Sequence, residues 1–513
     1  MFYTEIVHRC VADSAMMETV CDSYVMSETV TNAFCCQGSS ETKASAGSFG
    51  FSEEQIRSAR DDDLLISVEA SDSDTARTVL SQLKSIATVR RYSRECGRSG
   101  DPEIEIEGHP DINWTVISLP PHLAVRAARQ CLDMGLGVIL EEALSLGDET
   151  ELKKYAYERS LPLLGGGVQG AVISGRSIGV CPEFPNGNVA ILGQSLNANL
   201  MLAFLLEERG IGIRHLISTG RRDSFLQEGG LTSEICIDEL KDDPQTDSIC
   251  LVLKSGDLKV ISGLIDKARG TGKRIFLYEV GMLRNMDYEG KDPSARTLAE
   301  LADKVAQYYG SEIREGDEDR DMQNLTTIHR LKQNKEQKYI RGFFMSETMC
   351  GETASQMIPK VGSVYSNSPV RSAYLLSEVR FPKENSVIDC AHVSFAVTSR
   401  SSMISTVRRN RRLISEAYNK SVAVILADWY GGVGCTAEQL DDLAESIRRC
   451  RRIAEEDGRH IAFGAIVMSG SGSPVSREEA GEKLASAGAD VFYSADEASQ
   501  YACMIISSGK ERT

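Results

Sequence analysis

Apolar and polar positions along this chain switch between a short-strand pattern and a helical one, and the switch recurs. Continuous apolar runs of the kind buried in parallel sheets read NVAILG (188–193), SICLVLK (248–254) and KRIFLYEVG (273–281). After the first of them, QSLNAN leads into the helical run LMLAFLLEERG (200–210). A second set opens at YIRGFF (339–344), continues through SETMCGETAS (346–355), and has later strands SVAVILADW (421–429) and RHIAFGAIVMSG (459–470). Strands alternating with helices predict an α/β fold with parallel sheets, whose ligands lie at the carboxyl ends of the strands. A strand that runs straight into a helix offers unpaired N–H groups and a positive dipole end, which together suit an anion.

The same pattern divides the chain. Residues 1–95 read as an N-terminal α/β domain, with a strand over 2–8, a helix over 14–25, a strand over 33–36 and LLISVEA (64–70) ahead of a further helix. A polar Gly- and Pro-containing stretch follows. Residues 111–185 read as a small nucleotide-binding-like domain: INWTVISL, then a Pro-started helix, GVILEEA, another helix, and LPLLGGGVQGAVISG. Residues 186–310 hold the first repeat and 339–513 the second. Between them, 311–338 is charge-dense and reads as a partly helical connection.

Composition narrows the function classes. A formal charge of −17 over 513 residues argues against nucleic acid and against anionic membrane surfaces as partners. No apolar run approaches the roughly 20 residues of a membrane helix, and MFYTEIVHRC has neither the basic nor the apolar region of a signal peptide, so a cytoplasmic protein is expected. The 14 cysteines form no CxxC pair and are expected to be reduced, and the 7 histidines form no HxH, HxxxH or HExxH, so no metal site is expected.

Chemistry is expected in the loops after strands. Gly193, Gln194, Ser195 and Asn197 join the first strand to its helix, and either an anion or a simple N-cap accounts for them. In ISTGRRDSFLQEGG, Gly220 permits a tight turn, Arg221 and Arg222 bring fixed charge, and Asp223 can orient one of them. In the second repeat, Gly351, Glu352 and Thr353, then Gly432 and Gly434, then Ser469 and Gly470, fall after strands of one sheet and are expected to converge on one crevice. The arginine runs VRRNRRL (407–413) and IRRCRRIAEED (447–457) read as solvated helix faces, with contact to an acidic partner subunit as the alternative. Cys350 and Cys435 read as buried thiols rather than nucleophiles, with spatial pairing to His392 left open.

These residues resemble the FdrA family. The resemblance runs through NVAILGQS (188–195), Gly220 with Arg222-Asp223, Gly229-Gly230, DDPQTDSICLVLKS (242–255) and, most specifically, EQKYIRGFF…MCGET…VGSVYSN (336–367). It implies a Rossmann-like CoA-binding domain plus two flavodoxin-like CoA-ligase-type domains, built like the succinyl-CoA synthetase α subunit followed by a second CoA-ligase-type domain. It implies a subunit of an acyl- or carbamoyl-transferring enzyme acting on a small anionic substrate, with CoA or carbamoyl phosphate as substrate. It also implies companion subunits in a homo- or hetero-oligomer, and chemistry in which carbamoyl phosphate and oxamate exchange with oxalurate. An ADP-forming acyl-CoA synthetase and a non-catalytic scaffold subunit are the alternatives. The chain departs from the family where GPDCGT is GGGVQG (165–170), GASGTG is GQSLNA (193–198) and GRPHPMID is TSRSSMIS (398–405). Between His215 and His329 it also has no histidine for the phosphohistidine that succinyl-CoA synthetases carry.

Overall fold

The structure, a computed structural model, describes residues 2–10, 12, 14–25, 29–38, 42–43, 46–89, 111–119, 121–225, 227–253, 256–279, 294–311, 318–370, 373–376, 382, 384–391, 406–432 and 434–507. Four sheets organise them. In the N-terminal sheet, Leu64–Ala70 lies antiparallel between Phe2–Val7 and Val30–Gln37. Helices Ser14–Val25 and Ser73–Val89 bury Met17, Cys21, Ala76 and Leu83 against it. The next sheet is small and parallel: Trp114–Ile117, Gly137–Leu140 and Leu163–Leu164, in chain order.

Two seven-stranded sheets follow. The first runs Ser294–Ala295, Arg274–Glu279, Ser248–Leu253, Val189–Gly193, Ile213–Ser218, all parallel, and ends in the antiparallel hairpin Gly170–Ile173 and Arg176–Gly179. That hairpin sits in sequence with the small domain, yet it pairs Val172 with Leu216 and buries Ala171 and Val172 in the repeat's core. The second sheet is parallel throughout: Tyr374–Leu375, Val364–Ser366, Asn385–Asp389, Tyr339–Phe344, Val422–Tyr430, Ala462–Met468, Asp490–Phe492. Counting strands from Val189–Gly193 in one sheet gives the doubly wound order 2-1-3-4-5. Counting Tyr339–Phe344, Asn385–Asp389, Val422–Tyr430, Ala462–Met468 and Asp490–Phe492 gives the same order in the other, with two strands added at one edge. This is the mixed α/β, multi-domain architecture with parallel sheets that the hydrophobic pattern requires.

The two repeats share a core. One apolar cluster takes Leu200, Met201 and Phe204 from the first and Phe344, Met349, Ala354 and Met468 from the second. The helix Leu196–Glu208 is apolar almost all round for this reason: one face packs on its own sheet and the rest on the neighbouring repeat. The connection holds the helix Glu318–Lys332, which docks on the second repeat through His329, whose ring nitrogens lie 2.7 Å from His460 Nε2 and 2.7 Å from Asp490 Oδ2. Among the described residues, no helix is long and apolar enough to cross a membrane.

Candidate functional site: a crevice between the repeats

In a doubly wound sheet the crevice opens where strand order reverses, between the first and third strands. In the second repeat that point lies between the ends of Tyr339–Phe344 and Val422–Tyr430. Just past it, Ser346 caps the helix Glu347–Val361 by accepting from the Met349 amide. In the first repeat, Ser195 caps Leu196–Glu208 by accepting from the Ala198 amide. The two first turns meet: Ser195 Oγ and Thr348 Oγ1 are 3.1 Å apart. Each helix brings the positive end of its dipole and its first unpaired amides to this contact, so an anion there relieves two like ends at once. The starts of the two helices, beside Ser195 and Ser346, thus meet.

Next to this contact lies a cavity of ≈ 20 Å³, room for one water-sized group. Asn197 and Ser346 line it, together with Arg409, Asp428, Trp429 and Tyr430. Arg409 is 1% exposed, which the basic run VRRNRRL did not foretell. Its Nε donates to Asn410 Oδ1 at 3.1 Å, and its Nη1 donates to Asp428 O at 2.6 Å and Asp428 Oδ1 at 3.1 Å. Both carboxylate oxygens of Asp428 also accept from the Met345 amide at 3.0 Å. Burial pushes Asp428 up to about 6, against the pull of Arg409 and the amide, and burial draws the Arg409 guanidinium down. Three buried donors on the lining residues, Arg409 Nη2, Trp429 Nε1 and Tyr430 Oη, have no hydrogen-bond partner among the described residues.

The rest of VRRNRRL is not a solvated face either. Arg408 donates to the Ala33 carbonyl of the N-terminal sheet, and Arg412 pairs with Glu416 at 2.9 Å. The reason is packing: this helix lies against the helix Ala437–Glu456 and its own sheet, and Arg408 reaches across to the N-terminal sheet. In the other basic run, Arg448, Arg449 and Arg452 are exposed, as solvated arginines should be.

The other candidate residues make contacts within the chain. Gly193 ends its strand where a Cβ would lie 2.3 Å from the Val252 carbonyl, so close strand packing requires glycine there. Gln194 is buried. Gly220, with φ +96°, abuts the Gly165 backbone of the triple-glycine loop, where a Cβ would fall 2.6 Å from an oxygen. Arg221 is exposed. Arg222 is not brought to the crevice; its Nη1 donates to Glu149 Oε2 at 2.8 Å and the Leu144 carbonyl at 2.9 Å. Asp223 is buried against Lys153 Nζ at 3.1 Å and accepts from the Thr232 and Ser233 amides. GRRD thus bolts the small domain to the first repeat.

In the second repeat, Gly351, Glu352 and Thr353 lie buried inside their helix, and Glu352 Oε1 accepts from the Leu298 amide of the first repeat at 2.6 Å. Gly432 leaves space for the Tyr430 ring, which a Cβ would strike at 2.2 Å, and Gly434 takes φ +93° in the same turn. Ser469 donates to the Val475 carbonyl. Gly470 sits against Glu207 of the first repeat, and the neighbouring Ser471 amide donates to Glu207 Oε1 at 3.1 Å, so this loop grips a carboxylate of the chain itself. Burial pushes the Cys435 thiol up to about 11 and Cys350 well above its ordinary value, so neither is a ready thiolate. His392 and 398–405 lie outside the described residues. Among the described residues no three His, Cys, Asp or Glu side chains gather as a metal site.

No family model matches the chain. An uncharacterized protein, YahF of Escherichia coli (strain K12), is 28% identical over 487 residues, covering 94% of this chain and 94% of that one. Among solved structures, a dinucleotide-forming acetyl-coenzyme A synthetase from Ca. Korarchaeum cryptofilum is similar at 14% identity over 79% of this chain and 85% of that one, with a TM-score of 0.30. An ATP citrate lyase from Methanothrix soehngenii, in complex with citrate and coenzyme A, is similar at 12% identity over 42% of this chain and 38% of that one, with a TM-score of 0.31.

Proposed function

We propose that this chain is an acyl-CoA-synthetase-like protein that holds a small oxyanion, a phosphate or the carboxylate of an acyl group, in the crevice between its two repeats. The observation that carries the reading is the contact of Ser195 with Thr348, which sets two helix N-termini against one another beside a buried arginine. Fixed amides and a guanidinium in a water-poor site stabilise charge on an oxygen as an acyl or phosphoryl group leaves it, without reorganising at the moment of reaction. A second reading deserves a place because of one feature. The chain has no histidine between His215 and His329, so a phosphoryl relay through a histidine in that segment is not available. That favours direct transfer of an acyl or carbamoyl group to or from bound phosphate, the chemistry implied by the FdrA resemblance, with companion subunits bringing the other substrate.

Calorimetric titration of the full chain with phosphate, carbamoyl phosphate and CoA tests both readings, beside an assay for acyl-CoA formation from ATP, CoA and a carboxylic acid. Phosphate or carbamoyl phosphate is expected to bind, and the chain alone is expected to form no acyl-CoA. Turnover to acyl-CoA by the chain alone would favour the ligase. Absence of binding by either phosphate compound at millimolar concentration would leave a scaffold subunit as the better account.

A further inference from the structure

The Arg409 fork is only two-thirds used. Nε and Nη1 have acceptors, whereas Nη2 is buried with none among the described residues. Asp428 balances the charge, but its two oxygens already serve Arg409 and the Met345 amide. A buried charged donor without an acceptor is costly, and a guanidinium does not escape the cost by losing its proton. Trp429 Nε1 is a second buried donor without an acceptor, a neutral one, and Tyr430 Oη a third unpartnered polar atom. All three residues line one cavity. Indole and guanidinium N–H groups can only donate, so the fitting guest is an acceptor; a metal ion or an ammonium group does not fit.

Building on the crevice reading, we infer that Arg409, with Trp429 and Tyr430, receives one terminal oxygen of a phosphoryl or carboxylate group whose remainder lies along the Ser195–Thr348 contact. The cavity's ≈ 20 Å³ matches a single oxygen and not a whole substrate. Asn197 of one helix's first turn and Ser346, the cap of the other, line the same cavity, so an oxygen held there is continuous with the amides of both helices. Arg409 is thereby the fixed charge of the site, and Asp428 holds its fork in place.

The test uses the full chain titrated calorimetrically with inorganic phosphate in one arm and acetate in the other. Arg409→Lys keeps a charge beside Asp428 but loses the fork, and is expected to weaken binding roughly ten- to a hundredfold. Tyr430→Phe removes a hydroxyl that makes no internal hydrogen bond, so melting should be unchanged while binding weakens roughly three- to tenfold. Arg448→Ala, on the exposed basic helix, is the control and should bind as wild type does. The arm that binds identifies the phosphoryl or carboxylate source. If wild type binds and both crevice variants bind equally well, the inference is overturned and the crevice reading stands. If wild type binds neither ion, both fall. Should Arg409→Lys fail to fold, Tyr430→Phe decides alone.

Discussion

Glu352 is a buried carboxyl that caps a helix of the other repeat. It is 2% exposed, and its Oε1 accepts from the Leu298 amide. Burial pushes it up to about 7, against the pull of that amide. The folded protein therefore holds this proton more tightly than the unfolded chain does. The stabilising contribution is full below the ordinary carboxylate range and is lost as pH rises through about 7. Glu352→Gln keeps an oxygen for the Leu298 amide and cannot ionise. Relative to wild type the variant should gain stability between pH 5 and pH 8, by up to about 3 kcal/mol. Urea unfolding across that range reads it directly; parallel curves for the two proteins would place the proton elsewhere. Residues such as this one show where reading a sequence stops. In the sequence Glu352 stands among the residues expected at a crevice, and that it caps a helix of the other repeat depends on how two distant segments pack.

At the scale of elements, the GRRD turn is the sharpest revision. Its position after a strand and its paired arginines made an anion site plausible, yet Arg222 spans to Glu149 in the helix Leu146–Tyr157 and Asp223 binds Lys153 in the same helix. Arg222→Ala leaves Glu149, which is 2% exposed, with Lys153 Nζ at 3.6 Å as its remaining charge partner, and should cost about 2 kcal/mol of stability. Phosphate affinity should stay close to wild type. Thermal melting with a parallel titration separates the outcomes: an unchanged melt with weakened binding would return Arg222 to the ligand. The glycines of these turns were legible for their conformation but not for their purpose. Gly220 and Gly432 make room for Gly165 and Tyr430, and the neighbour in each case is fixed only by the tertiary structure. The arginine run over 407–413 was misread for a related reason. A charged helix is normally solvated, and nothing local announces that Arg408 will reach the N-terminal sheet or that Arg409 will be buried on Asp428.

Across the whole molecule, the parallel sheets and the pairing of the repeats followed from apolar runs alternating with helices, because that pattern has few ways to bury itself. The meeting of Ser195 and Thr348 fits that pattern, since both open the helix that follows a strand. The charge that completes the crevice did not, because Arg409 lies far along the chain on an element that reads as surface. The central claim is that the crevice between the repeats is an anion site built by two helix N-termini and Arg409. A crystal structure of the full chain grown with phosphate tests it most directly. An anion is expected there, bonded to the first-turn amides beside Ser195 and Thr348, with one oxygen on Arg409 Nη2. Phosphate bound instead at Arg221 and Arg222, with the crevice empty, would contradict it.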